Sequence, residues 1–436
     1  MSDALDTGQI TERKDCRVCG NTALVPVMDF GSQAVAGAFP PIGTGRDAQR
    51  FPLELVRCDV EADPSACGLV QLRHSLNGHL LYDAYWYRSG INRTMTDNLH
   101  EIARQAAELV GGLSEGDLVI DVGCNDGTLL DGYRPLAPGG VTYLGVDPSD
   151  VTRYAVEKGY DVVNTFFSHE AVASFAGDRK AKVITAIAMF YDLENPRQFV
   201  REIADSLQDD GVWVSEFSYM PTMLTMNSFD TVCHEHLEYY SLAVIERVME
   251  SAGLHVLRAE LNDVNGGSIR LFVGHAEHTT ASAADAENLA AMRAEEERLR
   301  LGTAAPYAAF AERSERVRTD LRDTLTRLVA DGRTVHVYGA STKGNTTLQY
   351  AGIDSSLVPM AADRNPDKWG RETIGTSIPI VSEEESRAFA PDYYLVLPWH
   401  FLDEMLEREA EFLGRGGQFI IPMPDVRLID GQHREG

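Results

Sequence analysis

The chain has 436 residues, 44% of them hydrophobic, and a formal net charge of −27. That length exceeds one ordinary core, so two to four domains are expected, and so acidic a surface excludes binding to nucleic acid by general electrostatics and repels anionic membrane. The opening MSDALDTGQITERKD is polar and no run approaches the ~18–20 apolar residues of a membrane span, so neither a secretion signal nor a span is expected, and the default location is the cytoplasm.

Residues 1–82 read as a cysteine-rich, zinc-binding domain. Of six cysteines, four fall in the first 67 residues: Cys16, Cys19, Cys58 and Cys67. The run DCRVCGN is a C-x-x-C turn with glycine behind it, and the second pair, in RCDVEADPSACGLVQ, completes a tetrahedral four-thiolate set. In a reducing compartment such a cluster reads as structural zinc rather than disulfides. The second pair is spaced by eight residues, where a knuckle has two, so the acidic DVEADPSA is expected to loop out. If it does not, Cys67 is a core cysteine and no metal binds. A closed four-sulfur site has no open position, so no catalytic role is assigned to it.

Residues 83–279 form the next unit. YDAYWYRSGINRTM leads into an amphipathic helix, MTDNLHEIARQAAELVGG, and apolar strand-like runs then alternate with helical stretches, which predicts a parallel sheet with helices on both faces. LHVLRAEL and GSIRLFVG are expected to close that sheet as an antiparallel pair. VIDVGCNDGTLL places Asp121 at a strand end, then Gly123, Asn125 and Gly127, then a helix start whose free N–H groups could meet a ligand. The spacing is not the G-x-G-x-x-G of a dinucleotide site. Asp147, ending the following strand, can accept both ribose hydroxyls of an adenosine. Together these motifs resemble class I S-adenosylmethionine methyltransferases, which implies that this cofactor binds here, with Phe167, or its neighbour Phe166, over the adenine.

The stretch FDTVCHEHLEYYS, Phe229 to Ser241, concentrates titratable groups. Cys233, His234 and His236 are too close along an extended chain for all three to bind one metal, since neighbours point to opposite faces. His234 and His236 could share a face, so a metal on those two, a general base and a polar surface loop are the remaining readings. Residues 280–330 are read as a helical connector of two long helices broken around GTAAP, with the charge run Arg293 to Arg300 as a solvated face. Residues 331–436 begin a second Rossmann-like unit. In TVHVYGASTKGNTT the backbone from Gly339 to Ser341, with Lys343 beside it, is expected to hold a diphosphate, and PDKWG offers Lys368 to the same nucleotide.

The four-cysteine segment, the H-E-H loop in a methyltransferase core and the C-terminal YGASTKG unit together resemble the S-adenosylmethionine-dependent sugar C-methyltransferases of deoxysugar pathways, over roughly residues 14–428. The resemblance implies an α/β fold with a zinc module, a methyltransferase core and a second Rossmann-like domain. It implies methylation at C3 of a nucleotide-linked 4-keto-6-deoxyhexose, with His236 as base, Glu235 beside it and Tyr87 (Tyr85 in second place) pointing into the same cleft. Asp192, after the fourth strand, is expected to touch the sugar. Cys233 stands where relatives have tyrosine, His234 where they have a carboxylate, and Ala188 and Asp192 where they have Asn and His. The chemistry is consistent with this. Methyl transfer to carbon needs a carbanion, a C–H beside a ketone is acidic enough to give one, and histidine suits the proton removal. His234 is the alternative base, and Glu235 is expected to orient the base or accept its other ring proton. An O- or N-methyltransferase and a noncatalytic nucleotide-sugar-binding protein are the rival readings. Oligomeric state stays open between monomer and homodimer.

Overall fold

The computed structural model describes residues 9–82, 88–137 and 139–431; Tyr85 and Tyr87 lie outside them. Among the described residues no helix is long and apolar enough to cross a membrane.

The central sheet has seven strands, in the order Leu254–Asn262, Ser268–His275, Leu207–Ser218, Ala181–Ile187, Leu118–Val122, Thr142–Val146 and Asp161–Val163. Ser268–His275 runs antiparallel to both its neighbours and the other pairings are parallel, which is the class I methyltransferase arrangement. Leu118–Val122 is buried along its whole length between cores on both faces, as its near-continuous apolar run requires. From this strand the chain passes first to one side of the sheet and then crosses to the other. The crevice at its carboxyl end is therefore a topological switch point, where open α/β sheets bind ligands.

The C-terminal sheet repeats the idea with six strands, in the order Ile380–Ser382, Ala361–Asp363, Val335–Tyr338, Tyr393–Val396, Gln418–Ile421 and Arg427–Ile429. Its switch point follows Val335–Tyr338, at Gly339. The N-terminal module is a four-stranded antiparallel sheet whose outer strand comes from elsewhere. Glu238–Tyr239, from the H-E-H loop, pairs with Val70–Leu72, which is followed by Arg50–Cys58 and Leu24–Ala34.

Helices Ala283–Arg298 and Ala305–Ala330 connect the two large sheets. The charge run expected to be solvated is not wholly so. Glu296 is buried and accepts the N–H groups of Leu242 and Ala243 and the hydroxyl of Tyr219, so it caps the helix Leu242–Glu250 from a different element. One apolar core takes Phe30 and Leu55 from the N-terminal sheet, Phe229 and Tyr239 from the H-E-H loop, Phe310 from the second connector helix and Trp399 from the C-terminal unit. The loop thus sits where the three units meet.

Candidate active site

At the first switch point, Gly123 (φ 73°) and Gly127 (φ 75°) turn the backbone through the left-handed region, which a side chain would strain. Asp147 is fixed at the rim. Its Oδ2 accepts the Asn125 N–H at 2.9 Å, and its Oδ1 accepts from Ser149 N at 2.7 Å and Ser149 Oγ at 2.6 Å. Asn125 in turn accepts the Ser89 N–H through its side chain. Asp121 is buried and bonded by Thr185 Oγ1 at 2.6 Å; burial, with the Asp147 and Asp126 charges adding to it, raises its carboxyl to about 7. The helix start expected to offer free N–H groups is partly closed, because Asp126 Oδ1 accepts from Thr128 N and Oγ1. Three carboxylates around one turn favour a cationic ligand. S-adenosylmethionine, with a sulfonium and an ammonium, matches that donor set. Phe167 packs on Phe199, with centroids 5.2 Å apart, while Phe166 is 63% exposed.

The H-E-H loop meets the segment after the strand Ala181–Ile187, where Leu237 N donates to Tyr191 O at 2.7 Å. His236 Nδ1 is 2.7 Å from the carbonyl oxygen of Thr231. A carbonyl only accepts, so Nδ1 carries the proton and donates it, and in the neutral ring Nε2 keeps its lone pair. Loss of hydration, with a smaller push from the Lys343 charge, lowers His236 to about 4 against the carbonyl's opposing pull, so the ring is neutral near pH 7. The ring lies against Tyr191, with centroids 4.2 Å apart.

The orienting partner of His236 is therefore the Thr231 carbonyl and not Glu235, as the sequence suggested. Glu235 points the other way. Its Oε1 accepts the Gly37 N–H at 3.0 Å from the N-terminal module, and its Oε2 is buried without a partner. His234 also faces that module, with Nε2 3.3 Å from the Phe51 carbonyl oxygen and the ring edge-on to Phe51. In an extended chain these two would share a face, but a turn from Cys233 to His236 (His236 N to Cys233 O, 3.2 Å) breaks the alternation and turns them apart. Asp192 follows the strand Ala181–Ile187. Its Oδ1 is buried without a partner, and burial, then the Glu235 and Glu238 charges, raises its carboxyl well above the usual range.

The second switch point differs from expectation in detail. Gly339 N donates to Ala362 O at 2.8 Å and Ala340 N to Asp363 Oδ2 at 2.9 Å, so two of the amides assigned to a diphosphate are already paired. Ser341 Oγ accepts the Gly344 N–H and caps the helix Thr342–Ala351. Lys368 is at this turn, 2.7 Å from Ala340 O and 3.5 Å from Asp363. Lys343 is not. It reaches the Asn265 carbonyl oxygen of the central domain, where Asp230 attracts it and burial lowers its ammonium. Asp230 is itself held by Trp399 Nε1 at 2.9 Å. Lys343 thus belongs to the cleft of His236, a role that no spacing rule in YGASTKG distinguishes from phosphate binding.

The four N-terminal cysteines are free thiols whose sulfurs all lie within 4.8 Å of one another, with Cys16–Cys67 at 3.4 Å and Cys19–Cys58 at 3.5 Å. Four sulfurs bound at ~2.3 Å in a tetrahedron are about 3.8 Å apart, so the set fits a structural zinc ion. The segment between Cys58 and Cys67 does loop out, pinned by Asn21 Nδ2 to Asp63 Oδ2 at 2.7 Å, and the long spacing costs the cluster nothing.

Three family models match the chain: a zinc binding domain over residues 16–82, a methyltransferase domain over 87–259, and a C-methyltransferase C-terminal domain over 263–424, the last taking in the strand Ser268–His275 of the central sheet and both connector helices. The C-methyltransferase NovU of Streptomyces niveus is 33% identical over 426 residues, which cover 96% of this chain and 97% of NovU. Solved structures match about two fifths of the chain at low similarity. The N-methyltransferase NodS of Bradyrhizobium japonicum WM9 has a TM-score of 0.31 and 12% identity, covering 42% of this chain and 98% of its own. The magnesium protoporphyrin IX methyltransferase ChlM of Synechocystis PCC 6803 has a TM-score of 0.30 and 15% identity, covering 42% and 78%. Neither bears on the substrate.

Proposed function

The chain belongs to the C-methyltransferase family that includes NovU, and on that premise we propose that it methylates C3 of a nucleotide-linked 4-keto-6-deoxyhexose through an enolate, with His236 as the base. The observation that carries this reading is the tautomer of His236: Nδ1–H is committed to the Thr231 carbonyl, so Nε2 is free to take a proton. Transfer to an oxygen or nitrogen that already has a lone pair requires no carbanion. A neutral, oriented imidazole in the cleft is what deprotonation beside a ketone does require.

The chain's own groups act as follows. His236 Nε2 takes the proton from the carbon beside the ketone, and the Thr231 carbonyl stabilises the imidazolium that forms. The electron pair left on carbon delocalises onto the ketone oxygen, in the field of the Lys343 ammonium. Asp192, with an unpartnered oxygen, takes a sugar hydroxyl. Asp147 and the Gly123–Gly127 turn hold S-adenosylmethionine, which when bound supplies an electrophilic methyl group to that carbon. The C-terminal unit, with Lys368 at its glycine turn, holds the nucleotide end, and zinc on Cys16, Cys19, Cys58 and Cys67 is structural.

The test is a screen of dTDP-, GDP-, CDP- and UDP-linked 4-keto-6-deoxyhexoses for the gain of one methyl group by mass spectrometry. NMR of the product then decides between C3 and C5, the two carbons that flank the ketone. A methyl on oxygen or nitrogen would refute the proposal.

A further inference from the structure

We propose that Arg17, inside the C-x-x-C turn, is a positioning residue for the base loop, so that the folded zinc knuckle sets where His236 stands. This rests on the reading of His236 as the base. Arg17 is only 5% exposed. Its N–H meets Gln71 Oε1 at 2.9 Å, Nη1 donates to Leu72 O at 2.7 Å and Nη2 to Ser75 Oγ at 2.7 Å. The remaining nitrogen, Nε, has no hydrogen-bond partner and lies 3.6 Å from Glu238 Oε1 and 3.7 Å from Glu194 Oε2. Glu238 is 1% exposed, and neither of its oxygens makes a hydrogen bond. Burial pushes the Glu238 carboxyl, two residues after the base, well above the usual range, and the Arg17 guanidinium, carried between the first two cysteines, pulls it back down.

The backbone makes the same connection. Glu238 and Tyr239 pair with Gln71 and Val70. Leu237, the residue next to His236, gives its carbonyl to Leu72 N at 2.9 Å and its N–H to Tyr191 O at 2.7 Å, and the Tyr191 ring packs on His236. The base loop is thus an added strand on the zinc module, and a two-residue strand has too few bonds to hold its register alone. The Arg17–Glu238 pair supplies what is missing. Removing one member of a buried ion pair leaves the other uncompensated, whereas removing both does not.

The test compares Arg17→Met, Glu238→Gln and the double variant in the full chain. Hydrogen exchange of the 229–241 peptide, which needs no substrate, is read beside zinc content, S-adenosylmethionine affinity, and kcat on dTDP-4-keto-6-deoxy-D-glucose. Arg17→Met is expected to keep one zinc per chain and cofactor affinity within about twofold, to speed exchange at residues 237–239 at least tenfold, and to lower kcat at least tenfold. The double variant is expected to recover at least half of both changes on a logarithmic scale. Unchanged exchange in Arg17→Met, or no recovery in the double variant, would overturn the proposal. If Arg17→Met loses zinc or fails to fold, Glu238→Gln alone decides, since it lies far from the cysteines in sequence: faster exchange at 237–239 supports the proposal and unchanged exchange refutes it. A loosened loop in Arg17→Met together with full turnover by His236→Asn would refute the reading of the base while leaving the mechanical link intact.

Discussion

The Nδ1 atom of His236 and the carbonyl oxygen of Thr231, five residues apart, are joined by a hydrogen bond of 2.7 Å. That bond selects the tautomer, orients the ring and leaves Nε2 as the basic atom. It also predicts how the reaction depends on pH. Loss of hydration holds His236 down, to about 4 rather than 6.5. The neutral form is the active one, so activity is retained as pH falls through 6.5 and is lost only as pH falls through the lowered value. The acid limb of kcat/KM for the ketosugar is expected near pH 4–5. A limb at 6.5 or above would show that a different group or environment controls the step.

Asp147 accepts two main-chain N–H groups and a hydroxyl, and in the proposed reading its carboxylate takes the ribose of the cofactor. Hydrogen bonds to a charged acceptor contribute about 1.5–3 kcal/mol. Asp147→Asn is therefore expected to weaken S-adenosylmethionine binding ~10- to 100-fold by calorimetry, while the ketosugar KM changes little.

Asp192 combines a buried unpartnered oxygen with the repulsion of Glu235 and Glu238, an arrangement that costs stability without a ligand. Asp192→Asn is expected to stabilise the free protein by about 1 kcal/mol in thermal or urea denaturation and to raise the ketosugar KM roughly tenfold. A fall in stability with unchanged KM would make Asp192 a structural residue.

Cys58 is wholly buried and ends a central strand of the N-terminal sheet, with its N–H bonded to Leu69 O at 2.8 Å. Cys58→Ser is expected to abolish a stoichiometry of one zinc per chain, measured by plasma mass spectrometry, and to lower Tm markedly, since structural zinc binding is coupled to folding. A Cys58→Ser variant with wild-type Tm would remove the structural role.

The parts that were legible in the sequence are local ones. Asp121, Gly123, Gly127 and Asp147 read correctly as a strand end, a turn and a second strand end because each conformation depends on residues next to it. The cysteines were legible because thiolate spacing has few alternatives, even with the long gap before Cys67. The partner of His236 was not, because a main-chain carbonyl has no residue type to betray it, and the neighbouring Glu235 looked the better candidate. Arg17 and Glu238 meet across more than two hundred positions, and only the added strand brings them together. Glu296 was hidden in a charge run, and Lys343 in a motif that suits phosphate equally well. For Arg17, Glu296 and Lys343 the deciding contact comes from another domain.

The most direct measurement is solvent deuterium exchange into C3 of dTDP-4-keto-6-deoxy-D-glucose, followed by NMR in the absence of S-adenosylmethionine. The wild-type enzyme is expected to wash deuterium into C3. His236→Asn is expected to lose this exchange by about two to four orders of magnitude while binding the cofactor normally. Exchange at the wild-type rate in His236→Asn would contradict the account.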